Sequence, residues 1–146
     1  MNLLHQIEHW SITHNPRWLV VFRVLLGVCL FVRGILFLIN LPDLQLQIDN
    51  SSLSSLDNSL WLAPIISWVH ILGGTLITIG LFTRASVLAQ IPIVLGAIIF
   101  INSTNGVYAV HSEFIFSIFI LLLLIVFFVE GGGEISMDDY ARRNLL

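Results

Sequence analysis

A small set of polar side chains interrupts the apolar stretches of this 146-residue chain. Arg33 lies about six residues from the end of its apolar stretch, and His70 about eight residues into the next. At about 1.5 Å of helical rise per residue, both would lie ~9–12 Å from the same end of their helices. A guanidinium donates hydrogen bonds, and an imidazole titrates near neutral pH and can relay a proton. The residues predicted to bind a ligand or relay protons are Arg33, His70, Asn102, His111 and Glu113.

The sequence leaves a purely structural interpretation open for these residues. Arg33 can pair with Glu113 or extend its guanidinium to lipid headgroups. Glu113 can favour the positive N-terminal end of its own helix, and His70 can make a hydrogen bond between helices. His111 can be an exposed loop residue.

A second polar set, formed by Arg23, Gln90 and Arg84, is predicted nearer the opposite end and is interpreted as structural. We expect Arg23 to donate to Gln90 or to carbonyl groups near Pro92. Because proline has no N–H, it leaves one helical carbonyl group without its usual donor. Small residues let helices approach closely, so the glycines are predicted to form packing surfaces. These glycines are Gly27, Gly34, Gly73, Gly74 and Gly80.

Cofactors and partners that need a ligand motif or a basic surface are not indicated. No spacing such as HExxH relates the candidate ligands, so no metal site is predicted. Haem held by two histidines needs both at similar depth, and only His70 is deep, so haem is disfavoured. The single cysteine, Cys29, excludes an internal CxxC pair or disulfide. The chain has no lysine and no basic cluster, so nucleic acid is not predicted as a partner.

Four apolar runs must position these residues. Hydrophobic residues make up 57% of the chain and charged residues 10%, whereas a soluble domain carries about 25% charged residues. Each run approaches the ~17–25 residues that a helix needs to cross a bilayer. We therefore predict an all-α integral membrane protein, a four-helix transmembrane bundle forming a single domain over residues 1–146. The spans are predicted at about 18–39, 62–82, 85–101 and 112–129, with the lipid bilayer as surrounding partner.

The connecting segments carry weaker patterns. Apolar residues at helical spacing predict an N-terminal interfacial helix within residues 1–15. Residues 40–59 are predicted to form the longest loop, and the Ser136-x-x-Asp139 pattern predicts a capping box that opens a short C-terminal helix. Basic residues of short flanks mark the cytoplasmic side of a membrane protein, so both termini are predicted in the cytoplasm. Those residues are Arg17, Arg84, Arg142 and Arg143.

Several short sequence motifs occur in the first two predicted spans and in the C-terminal segment. They are RVLLG at 23–27 followed by Arg33-Gly34, LGG at 72–74, IGLFTR at 79–84, and GGG at 131–133 with SMD at 136–138. Through them the chain resembles the DoxX family of small four-helix bacterial membrane proteins. The resemblance implies a bacterial inner-membrane protein linked to respiratory or sulfur redox chemistry, similar to the membrane subunit of thiosulfate:quinone oxidoreductase.

Two hypotheses about function follow. In the first, the protein is a subunit of a quinone-linked redox system, and His70 and Arg33 bond to the quinone carbonyls. Glu113 or His111 would then carry protons, and a redox partner protein or a bound cofactor would supply electrons. In the alternative, it is a non-catalytic binding or assembly protein that holds a lipid or another apolar ligand. Enzymatic activity of its own and a homo-oligomeric state are left open.

Overall fold

The structure, a computed structural model, describes residues 17–55, 59–101, 111–133 and 136–145. These residues are largely helical and include no strand. The α-helices are α1 (Arg17–Ile39), α2 (Leu41–Asp49), α3 (Leu62–Ile79), α4 (Thr83–Gly96), α5 (His111–Glu130) and α6 (Met137–Leu145). Short 3-10 helices at Ser52–Ser55 and Ser59–Trp61 precede α3, and α4 passes into a π-helical turn at Ala97–Ile101.

Within the described ranges, α1 and α3 are the two helices long and apolar enough to cross a membrane. Two shorter apolar helical stretches follow, Thr83–Ile99 and Phe114–Glu130. All four lie where the apolar runs predicted helices. Many large apolar side chains on their outer faces are exposed, and soluble proteins rarely expose large contiguous apolar surfaces. This surface is suited to contact with lipid.

The prediction of a loop over residues 40–59 was wrong for its first half, which forms α2. Leu44 and Ile48 are one turn apart and both are buried against Ala63 of α3. Pro42 lies in the first turn of α2, where a missing N–H costs nothing. A helix this short is stabilised by packing rather than by propensity, and the serines and aspartates of the segment obscured its apolar face.

The helix α3 ends at Ile79 and α4 begins at Thr83, so the turn between them lies at residues 80–82 rather than at 83–84, where the predicted spans placed it. Gly80 has a φ of 78°, a left-handed conformation that ends α3 at Ile79. Phe82 is also left-handed, with a φ of 48°, and α4 begins immediately after it. We call this the tail end of the bundle, because the segment after α5 also returns to it.

α1 and α3 lie in close backbone contact, as the glycine pattern predicted. A Cβ placed on Gly74 would lie 2.5 Å from the backbone nitrogen of Phe31 and 2.7 Å from the carbonyl oxygen of Gly27. A Cβ on Gly34 would lie 2.7 Å from the backbone nitrogen of Ile71. These distances are shorter than any ordinary contact, so this helix pair requires glycine at these positions.

The main apolar core fills the space between α1, α3, α4 and α5. It consists of Leu26, Leu30, Ile77, Val87, Val94, Ile120, Leu124 and Phe127.

The predicted short C-terminal helix is confirmed as α6, and Ser136 Oγ accepts a hydrogen bond from the Asp139 N–H at 3.1 Å. The predicted N-terminal interfacial helix lies outside the described residues.

Candidate functional site

Arg33 extends from α1 across two aromatic rings. Its guanidinium carbon lies 5.1 Å from the ring centroid of Phe116 on α5 and 5.5 Å from that of Phe37 on α1. Both distances fall within the ~6 Å over which a cation is attracted to a ring face. Arg33 is half-buried, and these contacts hold its charge between α1 and α5.

His70 is buried on α3, with 4% of its surface exposed. Its Nδ1 lies 3.0 Å from the carbonyl oxygen of Ile66. A carbonyl oxygen only accepts hydrogen bonds, so Nδ1 carries the proton and donates, which leaves Nε2 of the neutral ring as an acceptor. The imidazole also packs edge-to-face on Phe37, with ring centroids 5.5 Å apart.

Phe37 therefore contacts both Arg33 and His70, and we call Arg33, Phe37, His70 and Phe116 the Arg33–His70 cluster. Arg33 and Phe37 are four residues apart, so they lie on one face of α1. The close approach at Gly34 brings this part of α1 against α3, because a Cβ there would lie 2.9 Å from the Ser67 carbonyl oxygen. The cluster combines donors, one imidazole acceptor and flat apolar surfaces.

Two of the five predicted site residues, Arg33 and His70, contact one common ring, that of Phe37, and a shared ligand site for the five stays a prediction. Asn102 is not among the described residues. His111 and Glu113 lie in the first turn of α5, but only their backbone is described. Sequence reasoning missed Phe37 and Phe116. The spacing of four from Arg33 was a signal for Phe37, whereas Phe116 depends on how α5 packs.

The second polar set surrounds the tail end. Arg23 is buried, with 3% exposed, and its Nη1 donates to the carbonyl oxygen of Gly132. This partner was not predicted, because it lies 109 residues away in the chain. Arg84 Nη2 donates to the Val129 carbonyl oxygen at 3.2 Å. Both arginines thereby bind carbonyl groups at the end of α5 and just beyond it.

Asp138 completes the tail end and was not recognised as a site residue from the sequence. Its Oδ1 accepts from the Phe82 N–H at 2.7 Å, and its Oδ2 accepts from the Thr83 N–H at 3.0 Å. The backbone N–H of Asp138 donates to the Gly80 carbonyl oxygen at 3.0 Å. Its carboxylate therefore caps the positive N-terminus of α4 from a distant part of the chain.

Gln90 lies fully buried between α3 and α4, with 0% exposed. Its Nε2 donates to the carbonyl oxygen of Val69 at 2.7 Å. Gly73 leaves room for this amide, since a Cβ at that position would overlap it. Gln90 thus joins α4 to the residue that precedes His70.

Among the residues that the structure describes, no three His, Cys, Asp or Glu side chains come together as a metal site. The family model described as DoxX matches residues 18–103 of the chain, a range that contains Arg33, His70 and Gln90. No curated protein and no solved structure matches the chain.

Proposed function

The chain belongs to the DoxX family, and from this premise we propose that it is a multi-pass membrane subunit of a quinone-linked redox system, with the Arg33–His70 cluster as its quinone site. The four apolar helices and their exposed outer faces support the multi-pass arrangement. The basic residues of the flanks favour an orientation with both termini in the cytoplasm. The bacterial inner membrane is part of the proposal because the family resemblance implies it.

The observation that carries the proposal is the double contact of Phe37. One aromatic ring lies against the Arg33 guanidinium and the His70 imidazole at the same time. Ligand sites in proteins combine mostly apolar walls with a few polar groups that fix orientation. A quinone headgroup is a flat conjugated ring with carbonyl oxygens at its edge, so the side chains of this cluster match its chemistry.

Each polar residue has a distinct role in this proposal. Arg33 is always charged and has several N–H donors, so it would donate to a quinone carbonyl oxygen. His70 would accept a hydrogen bond from a quinol hydroxyl at Nε2, or receive its proton there. The bond from Nδ1 to the Ile66 carbonyl holds the imidazole in this tautomer.

A bound quinone would supply the redox chemistry, taking up or releasing electrons together with protons. The contribution of this chain is to bind and orient the headgroup and to hold a proton at His70 Nε2. We assign electron supply to a redox partner protein.

The chemistry of the Arg33 side chain also supports the alternative, a non-catalytic protein that binds a lipid. A half-buried guanidinium can bond a phosphate through two parallel N–H groups. The same cluster would then hold a lipid headgroup without chemistry.

Chemical extraction of the purified protein tests both functions. The protein is purified in mild detergent from quinone-containing membranes, and the co-purified quinone and phospholipid are quantified. Arg33→Gln and His70→Gln should lower the quinone content several-fold, whereas Arg17→Gln, which removes an exposed arginine from the same helix, should not.

The remaining outcomes separate the two functions. Loss of phospholipid alone in the Arg33→Gln protein would favour lipid binding. Equal quinone content in wild-type protein and all three variants would refute the proposed quinone site.

A further inference from the structure

One face of α4 carries three buried polar side chains in a row. Thr83, Ser86 and Gln90 are spaced by three and four residues, which places them along one side of the helix. Their exposed fractions are 0%, 6% and 0%. We call this face the α4 polar track.

Each member of the α4 polar track has a side-chain oxygen that makes no hydrogen bond within the described part of the chain. These atoms are Thr83 Oγ1, Ser86 Oγ and Gln90 Oε1. A buried polar atom without a partner is strongly unfavourable, and native proteins meet this need with bound water. Because three such atoms lie on successive turns of one helix, one shared set of hydrogen-bond partners explains them better than three separate unsatisfied groups.

The neighbours of the track define its two ends. At the tail end, a Cβ on Gly132 would lie 3.1 Å from Thr83 Oγ1, so the backbone that accepts from Arg23 lies beside the first member. At the other end, the amide nitrogen of Gln90 is bonded to the Val69 carbonyl oxygen. The track therefore extends from the charged tail end to the residue next to His70.

We propose that the α4 polar track binds a short chain of water molecules inside the bundle, reaching from Thr83 to Gln90. Hydroxyl oxygens and an amide oxygen can each accept from water, and the hydroxyls can also donate. Water molecules bound in this way would extend from the tail end toward the α3 segment that carries His70. A role for this water in supplying protons to His70 rests on the proposed function, whereas the binding of water does not.

Nuclear magnetic resonance of the full chain in detergent micelles tests the proposal directly. Magnetisation transfer from water is measured to the side-chain amide of Gln90. A clear cross-peak to long-lived water is expected. Gln47, which is exposed on α2, is the positive control, and the indole N–H of Trp68, 53% exposed on an apolar face, is the negative control. A Gln90 amide as dry as the Trp68 indole would overturn the proposal.

A serine pair supplies the matched variants. Ser86→Ala removes a hydroxyl that water would satisfy, so it should weaken the Gln90 cross-peak and lower the Tm. Ser67→Ala removes another buried hydroxyl, one that already donates to the Ala63 carbonyl oxygen at 2.9 Å, so the cross-peak should persist. A higher Tm for Ser86→Ala with an unchanged cross-peak would mean a dry, unfavourable hydroxyl and would refute the water chain.

The water signal is independent of quinone content. If water is detected at Gln90 but no quinone co-purifies, the water chain is supported and the proposed function is refuted. If quinone co-purifies but no water is detected at Gln90, the proposed function is supported and the water chain is refuted.

Discussion

The close backbone approach of α1 and α3 at Gly74 can be tested with one extra methyl group. Gly74→Ala would place a Cβ 2.5 Å from the backbone nitrogen of Phe31 and 2.7 Å from the Gly27 carbonyl oxygen. Both are backbone atoms, so no side-chain rotation can relieve the overlap. Gly96→Ala is the matched control, because a Cβ there meets no described atom within 4 Å.

The expected magnitudes follow from opposing terms. Replacing glycine by alanine within a helix gains about 0.8–1 kcal/mol from propensity. Overpacking costs about 1–3 kcal/mol, and the upper end applies to Gly74 because α1 and α3 must separate by roughly 1 Å to restore a contact of about 3.5 Å. Gly74→Ala should thus destabilise by about 2 kcal/mol, and Gly96→Ala should stabilise by up to about 1 kcal/mol.

Reversible unfolding in mixed micelles, followed by circular dichroism, measures both values. The two substitutions should shift the free energy of unfolding in opposite directions. If Gly74→Ala is as stable as Gly96→Ala, the close packing of α1 on α3 is wrong, and with it the alignment of Arg33 and His70.

Three further predictions concern the tail end and the candidate site. Asp138→Ala removes the cap from the Phe82 and Thr83 N–H groups and should cost about 1–2 kcal/mol in the same unfolding assay. As its control, Asp139→Ala removes an ion pair with the exposed Arg143, the side-chain partner of Asp139 among the described residues, so a cost above about 1 kcal/mol would contradict this account. Phe82→Gly should raise stability by about 1 kcal/mol because glycine adopts a φ of 48° without strain, and a fall in Tm would argue against that conformation. Arg33→Lys should retain less quinone than wild type on extraction, because an ammonium lacks the planar donor fork, and equal retention would count against direct bonding by Arg33.

The sequence predicted the parts of the fold that depend on local pattern. The apolar runs predicted the four long helices, and Ser136 with Asp139 predicted the start of α6. The glycine pattern predicted packing surfaces on these helices, because small residues let helix backbones approach closely, and Gly27 and Gly74 lie at such a surface. The position of His70 inside its helix correctly singled it out as a buried polar residue.

Features that depend on distant parts of the chain were not predicted. Asp138 caps α4 across 55 residues, and no local pattern connects it to Thr83. Phe116 contacts Arg33 only because α5 presents that face to α1, which periodicity alone does not determine. The helix α2 was missed because Leu44 and Ile48 gain their stability from burial against α3 rather than from helix propensity.

Photoaffinity labelling with a light-activated quinone analogue tests the central claim most directly. The protein is labelled in membranes, digested, and analysed by mass spectrometry, with excess unmodified quinone as competitor. We expect competed labelling of the α1 segment around Arg33 and Phe37 and of the α3 segment around His70. Labelling that lies elsewhere in the chain, or that quinone does not compete away, would contradict the assignment of the Arg33–His70 cluster as a quinone site.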